Sequence, residues 1–88
     1  MEANLTEVDL RGANLSKANL MRVNLTEADL NFASLSQAKL NFAELRAANL
    51  NGANLTGANL EEISLFEALY DSSTLWPDGF TPIGAIKE

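Results

Sequence analysis

Eighty-eight residues with 12 Asp+Glu against 6 Lys+Arg make one small acidic domain of formal net charge −6. The basic residues Arg11, Lys17, Arg22, Lys39, Arg46 and Lys87 never form a run, which argues against direct binding to a nucleic-acid phosphate backbone. With no Cys and no His, the chain has no disulfide, no thiolate or imidazole metal site and no histidine base.

The opening "MEANLTEVDL" carries acids at Glu2, Glu7 and Asp9 and no basic segment. No apolar run reaches the length of a signal peptide or a membrane span. The expected location is therefore the cytoplasm, without membrane contact. Apolar residues make up 47% of the chain, enough to form a core rather than a disordered tail.

From Ala3 the sequence repeats every five residues. Leucine recurs at Leu5, Leu10, Leu15, Leu20, Leu25, Leu30, Leu35, Leu40, Leu45, Leu50, Leu55, Leu60 and Leu65. Two positions before each leucine stands Ala, or Val8, Val23 or Ile63, and the residue just before it is usually Asn or Asp. In an α-helix, a step of five turns successive leucines by roughly 140°, so no single face could bury them. In a flat strand, an odd period sends them to opposite faces. Each pentapeptide must instead turn a corner. A short extended piece then points Ala and Leu inward together, and such pieces stack as neighbouring strands about 4.8 Å apart. The fold class is all-β, a β-solenoid.

The A-(N/D)-L-x-x pattern, as in Ala13-Asn14-Leu15-Ser16-Lys17, closely resembles the pentapeptide-repeat family. The resemblance implies a right-handed quadrilateral β-helix of four pentapeptides per coil, hence about 3.5 coils over residues 3–70. Residues twenty apart then stack, so Leu5, Leu25, Leu45 and Leu65 share one inner column and Leu10, Leu30, Leu50 and Tyr70 the next.

The same stacking gathers candidate sites. Glu7 lies below Glu27 and Asp9 below Asp29, an oxygen-rich cluster that would suit Ca²⁺ or simply stay solvated. A convex edge offers no cleft for paired-carboxylate hydrolysis. Phe32 and Phe42 point outward. Phe32 stacks between Gly12 and Gly52, where a ring can cover bare backbone, and Phe42 stacks between Arg22 and Glu62. With Trp76, these rings are the candidate partner contacts. The recurring Asn suits the turns and stacks into side-chain ladders.

Regularity stops after Leu65. Phe66 and Leu69 fall on outward positions, Tyr70 replaces an inward leucine, and "DSSTLWPDGFTPIGAIKE" follows. Trp76-Pro77-Asp78-Gly79 reads as a type I turn. Residues 71–88 are expected to cap the last coil by folding across it, over Phe66, Leu69 and Tyr70, with Trp76 and Phe80. A WPDGF-like tail also resembles those of cyanobacterial family members. The first coil has no such cap, which favours a homodimer through that end.

No nucleophile–base pair and no phosphate loop occurs, so neither an enzyme nor a cofactor is expected. The leading expectation is a non-catalytic structural or interaction module with an unidentified protein partner. Two alternatives are an acidic mimic of duplex DNA that binds DNA gyrase, which the resemblance implies, and a calcium-binding surface protein.

Overall fold

Every pentapeptide bends at the same place. In the computed structural model, which describes residues 3–88, the Val8 N–H donates to the Leu5 carbonyl at 3.2 Å, and the same bond closes at each later leucine through Leu65. The third residue of each turn has positive φ, from 57° at Glu62 to 73° at Gly57. That combination defines a type II turn, which favours glycine at its third position. Only Gly12, Gly52 and Gly57 supply it; the other ten turns hold a non-glycine residue there. Each of those carries left-handed strain of roughly 1–2 kcal/mol. None is β-branched, the residue type that tolerates this region least.

Hydrogen bonds between coils hold the strained corners in place. Asn4 pairs with Asn24, Asp9 with Asp29, Asn14 with Ser34 and Asn19 with Lys39, all in parallel. The same twenty-residue register continues to Asn49↔Leu69. The chain is thus a β-helix with one pairing position in each pentapeptide. A single unit shows how the backbone is satisfied. Asn24 N–H donates down to Ala3 at 2.9 Å, Leu25 N–H up to Glu44 at 2.7 Å and Glu27 N–H up to Arg46 at 2.9 Å. The Ala28 N–H closes the turn. The fifth N–H, that of Thr26, donates to Asn24 Oδ1 at 3.0 Å. All five donors have partners.

This last bond explains the recurrent Asn or Asp. Its side chain accepts from the N–H two residues on at Asn4, Asp9, Asn14, Asn19, Asn24, Asp29, Asn49, Asn54 and Asn59. That N–H is the one donor the ladders cannot reach. Capping the turn, rather than side-chain laddering, is what this position does.

Inside, leucines from Leu25 to Leu65 and the small residues beside them are buried, and Leu5, Leu10, Leu15 and Leu20 are partly buried. Alanine is favoured because the inward leucines of stacked coils leave little further volume. The molecule measures 32 × 23 × 23 Å.

The tail departs from the expected lid. It continues the winding with one residue inserted, so Leu75 pairs with Asn54. Thr74 takes the alanine position, is buried, and donates its Oγ1–H to the Leu50 carbonyl at 2.9 Å. Trp76 follows in the leucine position. Further on, β1 (Leu69–Tyr70) pairs in parallel with β2 (Ile86–Lys87). Tyr70 meets Trp76 edge-on at 5.5 Å, and Trp76 stacks on Phe80 at 5.3 Å. Aromatic rings in inward positions therefore fill the end of the core. Because the tail adds to the walls, it leaves Phe66 54% exposed and Leu69 half-buried. The turn also lies one residue later than expected. Phe80 N–H donates to Pro77 at 3.1 Å and Gly79 has φ 75°, giving a type II turn over 77–80. Glycine decides the register, since it alone enters that region without strain.

Candidate functional site

With the interior filled by Leu and Ala, the side chains open to solvent are those of the outer corners. At the acidic cluster, Arg11 supplies the cation. Its Nε and Nη2 donate to the two oxygens of Asp9 at 2.9 Å each, and its Nε lies 3.8 Å from Asp29 Oδ2. The Arg11 backbone N–H also donates to Asp9 Oδ1, at 3.2 Å. Donation from the Arg11 side chain first, then from its backbone, lowers the Asp9 carboxyl from 3.8 to about 2. The Arg11 guanidinium is raised in return by its bond to Asp9. Glu7 and Glu27 remain exposed at the preceding corner. Among the described residues, no three acidic side chains converge as metal ligands. The expected calcium ligands Glu7, Asp9, Glu27 and Asp29 are thus split between an arginine clamp and a solvated edge. Arg11 had been legible, two residues after Asp9 at a tight corner.

The outward rings occupy different corners of the coil. Phe32 is 73% exposed. Its Cδ1 lies only 2.5 Å from where a Cβ on Gly52 would stand, whereas Gly12 has open space around the equivalent point. The ring therefore covers the glycine above it and not the one below. Phe42, 46% exposed, receives the Arg22 guanidinium 5.0 Å from its ring centre. Phe66 receives Arg46 in the same way at 5.5 Å. This last pair was missed in the sequence, although its twenty-residue spacing signals it. Trp76 differs from Phe32 and Phe42. It is half-buried in the aromatic stack, and its Nε1 is buried without a hydrogen-bond partner. On one wall, Ser16 and Ser34 join hydroxyls at 2.8 Å.

Among the described residues no helix is long and apolar enough to cross a membrane. The family described as Pentapeptide repeats matches residues 3–41 and 43–68, in a model of 8 copies. No curated protein matches in sequence. Among solved structures, a pentapeptide repeat protein from Nostoc Pcc 7120 is 42% identical with a TM-score of 0.79, covering 99% of this chain and 78% of its own. The pentapeptide repeat protein Rfr23 from the cyanobacterium Cyanothece 51142 is 36% identical, TM-score 0.57, over 84% of this chain and 60% of its own. One from the Arabidopsis thaliana thylakoid lumen is 26% identical, TM-score 0.65, over 96% and 60%.

Proposed function

The chain belongs to the pentapeptide-repeat family, and from that membership we propose that it acts without catalysis, as a module recognised through its outer corners. The observation that carries this reading is the set of three exposed rings, Phe32, Phe42 and Phe66, held on rigid turns above a filled core. Large rings with little conformational freedom to lose are the usual anchors of protein interfaces. Two of them are already desolvated on one side by an arginine.

The finer architecture belongs to the same proposal. The twenty-residue register and the pairing position in every pentapeptide support a right-handed quadrilateral helix of about 3.5 coils over residues 3–70. Residues 71–88 cap its core with Trp76 and Phe80. The duplex-mimic alternative needs unbroken outer rows of acid. Here the columns read Arg22–Phe42–Glu62 and Gly12–Phe32–Gly52, so corner recognition is the better supported reading.

Photo-crosslinking groups placed next to Phe32 and Phe42 in the source cells test it. A discrete protein partner is expected, lost in the Phe32→Ser/Phe42→Ser variant at a temperature where circular dichroism shows that variant still folded. A variant that keeps every crosslinked partner would refute recognition through these corners.

A further inference from the structure

The ladder that joins coil to coil ends unevenly. Up to Leu55, each leucine N–H donates to the coil above. Among the described residues, the N–H groups of Gly57, Leu60, Glu62 and Leu65 donate to no backbone carbonyl. The carbonyls of Ala58 and Ile63 likewise lack the donor that Ala38 and Ala43 receive, from Asn59 and Ser64. These orphan groups form one continuous stretch of edge.

Their cause is a shortcut in the tail. The chain uses fifteen residues to travel from Asn54 to Leu69, but only eleven from Leu75 to Ile86, which pair with those two positions. Two pairing positions, above Asn59 and Ser64, are skipped. The path leaves an open cavity of ≈ 240 Å³ lined by Leu60, Glu62, Ile63, Leu65, Phe80 and Ile83. Ile83 stands 81% exposed at its rim.

Charge is concentrated at the same end. Residues 59–88 hold six acids, Glu61, Glu62, Glu67, Asp71, Asp78 and Glu88, against Lys87 alone. That segment therefore carries −5 of the −6, and the preceding 58 residues are close to neutral.

We propose that the gap is a docking slot for a basic peptide segment of a partner protein, extended along each side of the corner at Glu61 and Glu62. The segment would follow the wall in parallel, pairing beside Asn59 and again beside Ser64 and bending with the Leu60–Ile63 turn between them, as the two short strands that the tail skips. Its carbonyls accept from Leu60, Glu62 and Leu65, and its N–H groups donate to Ala58 and Ile63. One aliphatic side chain seats between Leu60, Ile63 and Phe80, and flanking Lys or Arg face Glu61 and Glu62. Strand addition of this kind draws affinity from the main chain and specificity from the pocket and rim. Parallel orientation follows from the ladder, in which every existing bridge is parallel. The slot deepens the interaction-module reading and rests on it.

Amide hydrogen exchange by NMR tests the slot, with the acetylated and amidated peptide KVKLKVK as probe. In the free protein, Leu60, Glu62 and Leu65 should exchange faster than Leu40 and Leu45. The peptide should slow them by on the order of 10-fold or more. The same peptide N-methylated at alternate residues should give no protection. Glu61→Lys/Glu62→Lys, both exposed changes, should weaken the peptide about fivefold and leave the melting temperature unchanged. The slot is overturned by an absence of protection at millimolar peptide, or by equal protection from the N-methylated peptide or from EVELEVE. Protection that grows with protein concentration alone would assign the edge to a second copy of the chain, and also overturns it. In any of these cases, corner crosslinks that still depend on Phe32 and Phe42 would leave the broader reading standing.

Discussion

Adding one methyl group to each of two glycines separates backbone strain from side-chain packing in this fold. Gly12 and Gly52 occupy equivalent third positions of type II turns, with φ of 69° and 71°. Alanine at either place meets left-handed strain of roughly 1–2 kcal/mol, offset by about 0.4–1 kcal/mol from a less flexible unfolded chain. Ala47 shows that the turn accepts alanine, at φ 58°. Gly12→Ala should therefore cost about 0–1.6 kcal/mol. At Gly52 the new Cβ would lie 2.5 Å from Phe32 Cδ1 and 2.6 Å from Cε1. Carbon atoms pack at about 3.5–4.0 Å, so the ring must swing away. Phe32 keeps only about a quarter of its surface covered, given its 73% exposure. That is about 50 Å² of a ring residue, or about 1 kcal/mol at 25 cal/mol per Å².

Gly52→Ala should thus be about 1 kcal/mol less stable than Gly12→Ala, a gap of about 4–8 °C in melting temperature for a domain of this size. Thermal unfolding followed by far-ultraviolet circular dichroism measures it. In the Phe32→Ala background the gap should close, which completes a double-mutant cycle. Equal melting temperatures for the two single variants would refute the claim that Phe32 packs on the glycine above it.

Asn24→Ala removes the acceptor for the Thr26 N–H and hydroxyl and should destabilise by about 1–2 kcal/mol, read by urea unfolding. Conversely, Lys39→Asn and Glu44→Asn supply turn acceptors at positions that lack one, and each should gain about 0.5 kcal/mol. An unchanged midpoint in these two would show that water serves Asn41 and Arg46 equally well. The Asp9 carboxyl sits lower in the folded chain, at about 2 rather than 3.8. The stability it contributes is therefore present above about pH 4 and lost as pH falls towards 2. Arg11→Gln should raise the Asp9 midpoint in an NMR titration and flatten the acid limb of the melting curve. Arg46→Ala and Phe66→Ala should couple by about 0.5 kcal/mol in a double-mutant cycle, as expected of an exposed cation–π pair.

The sequence by itself determined the β-helix. A leucine period of five fits neither helix nor flat strand, and that misfit leaves only a chain that turns at every unit. The inward Leu and Ala and the outward Phe32 and Phe42 follow from the repeat, while the columns and the Arg22–Phe42 contact follow from the stacking that the family resemblance implies. The tertiary structure decided what depends on geometry below the level of the period. Whether Phe32 leans on Gly52 or Gly12 is a choice of rotamer, which letters do not encode. Arg11 reaches Asp9 and Asp29 because a type II corner brings its backbone and side chain back towards the residue two before it. The path of the tail, along the wall rather than across the coil, was not legible because it depends on a single inserted residue near Thr74, an effect of register rather than of composition. The open edge at Leu60 to Leu65 was hidden for the same reason. It arises where eleven residues do the work of fifteen, and a path length becomes visible only when both of its ends are paired.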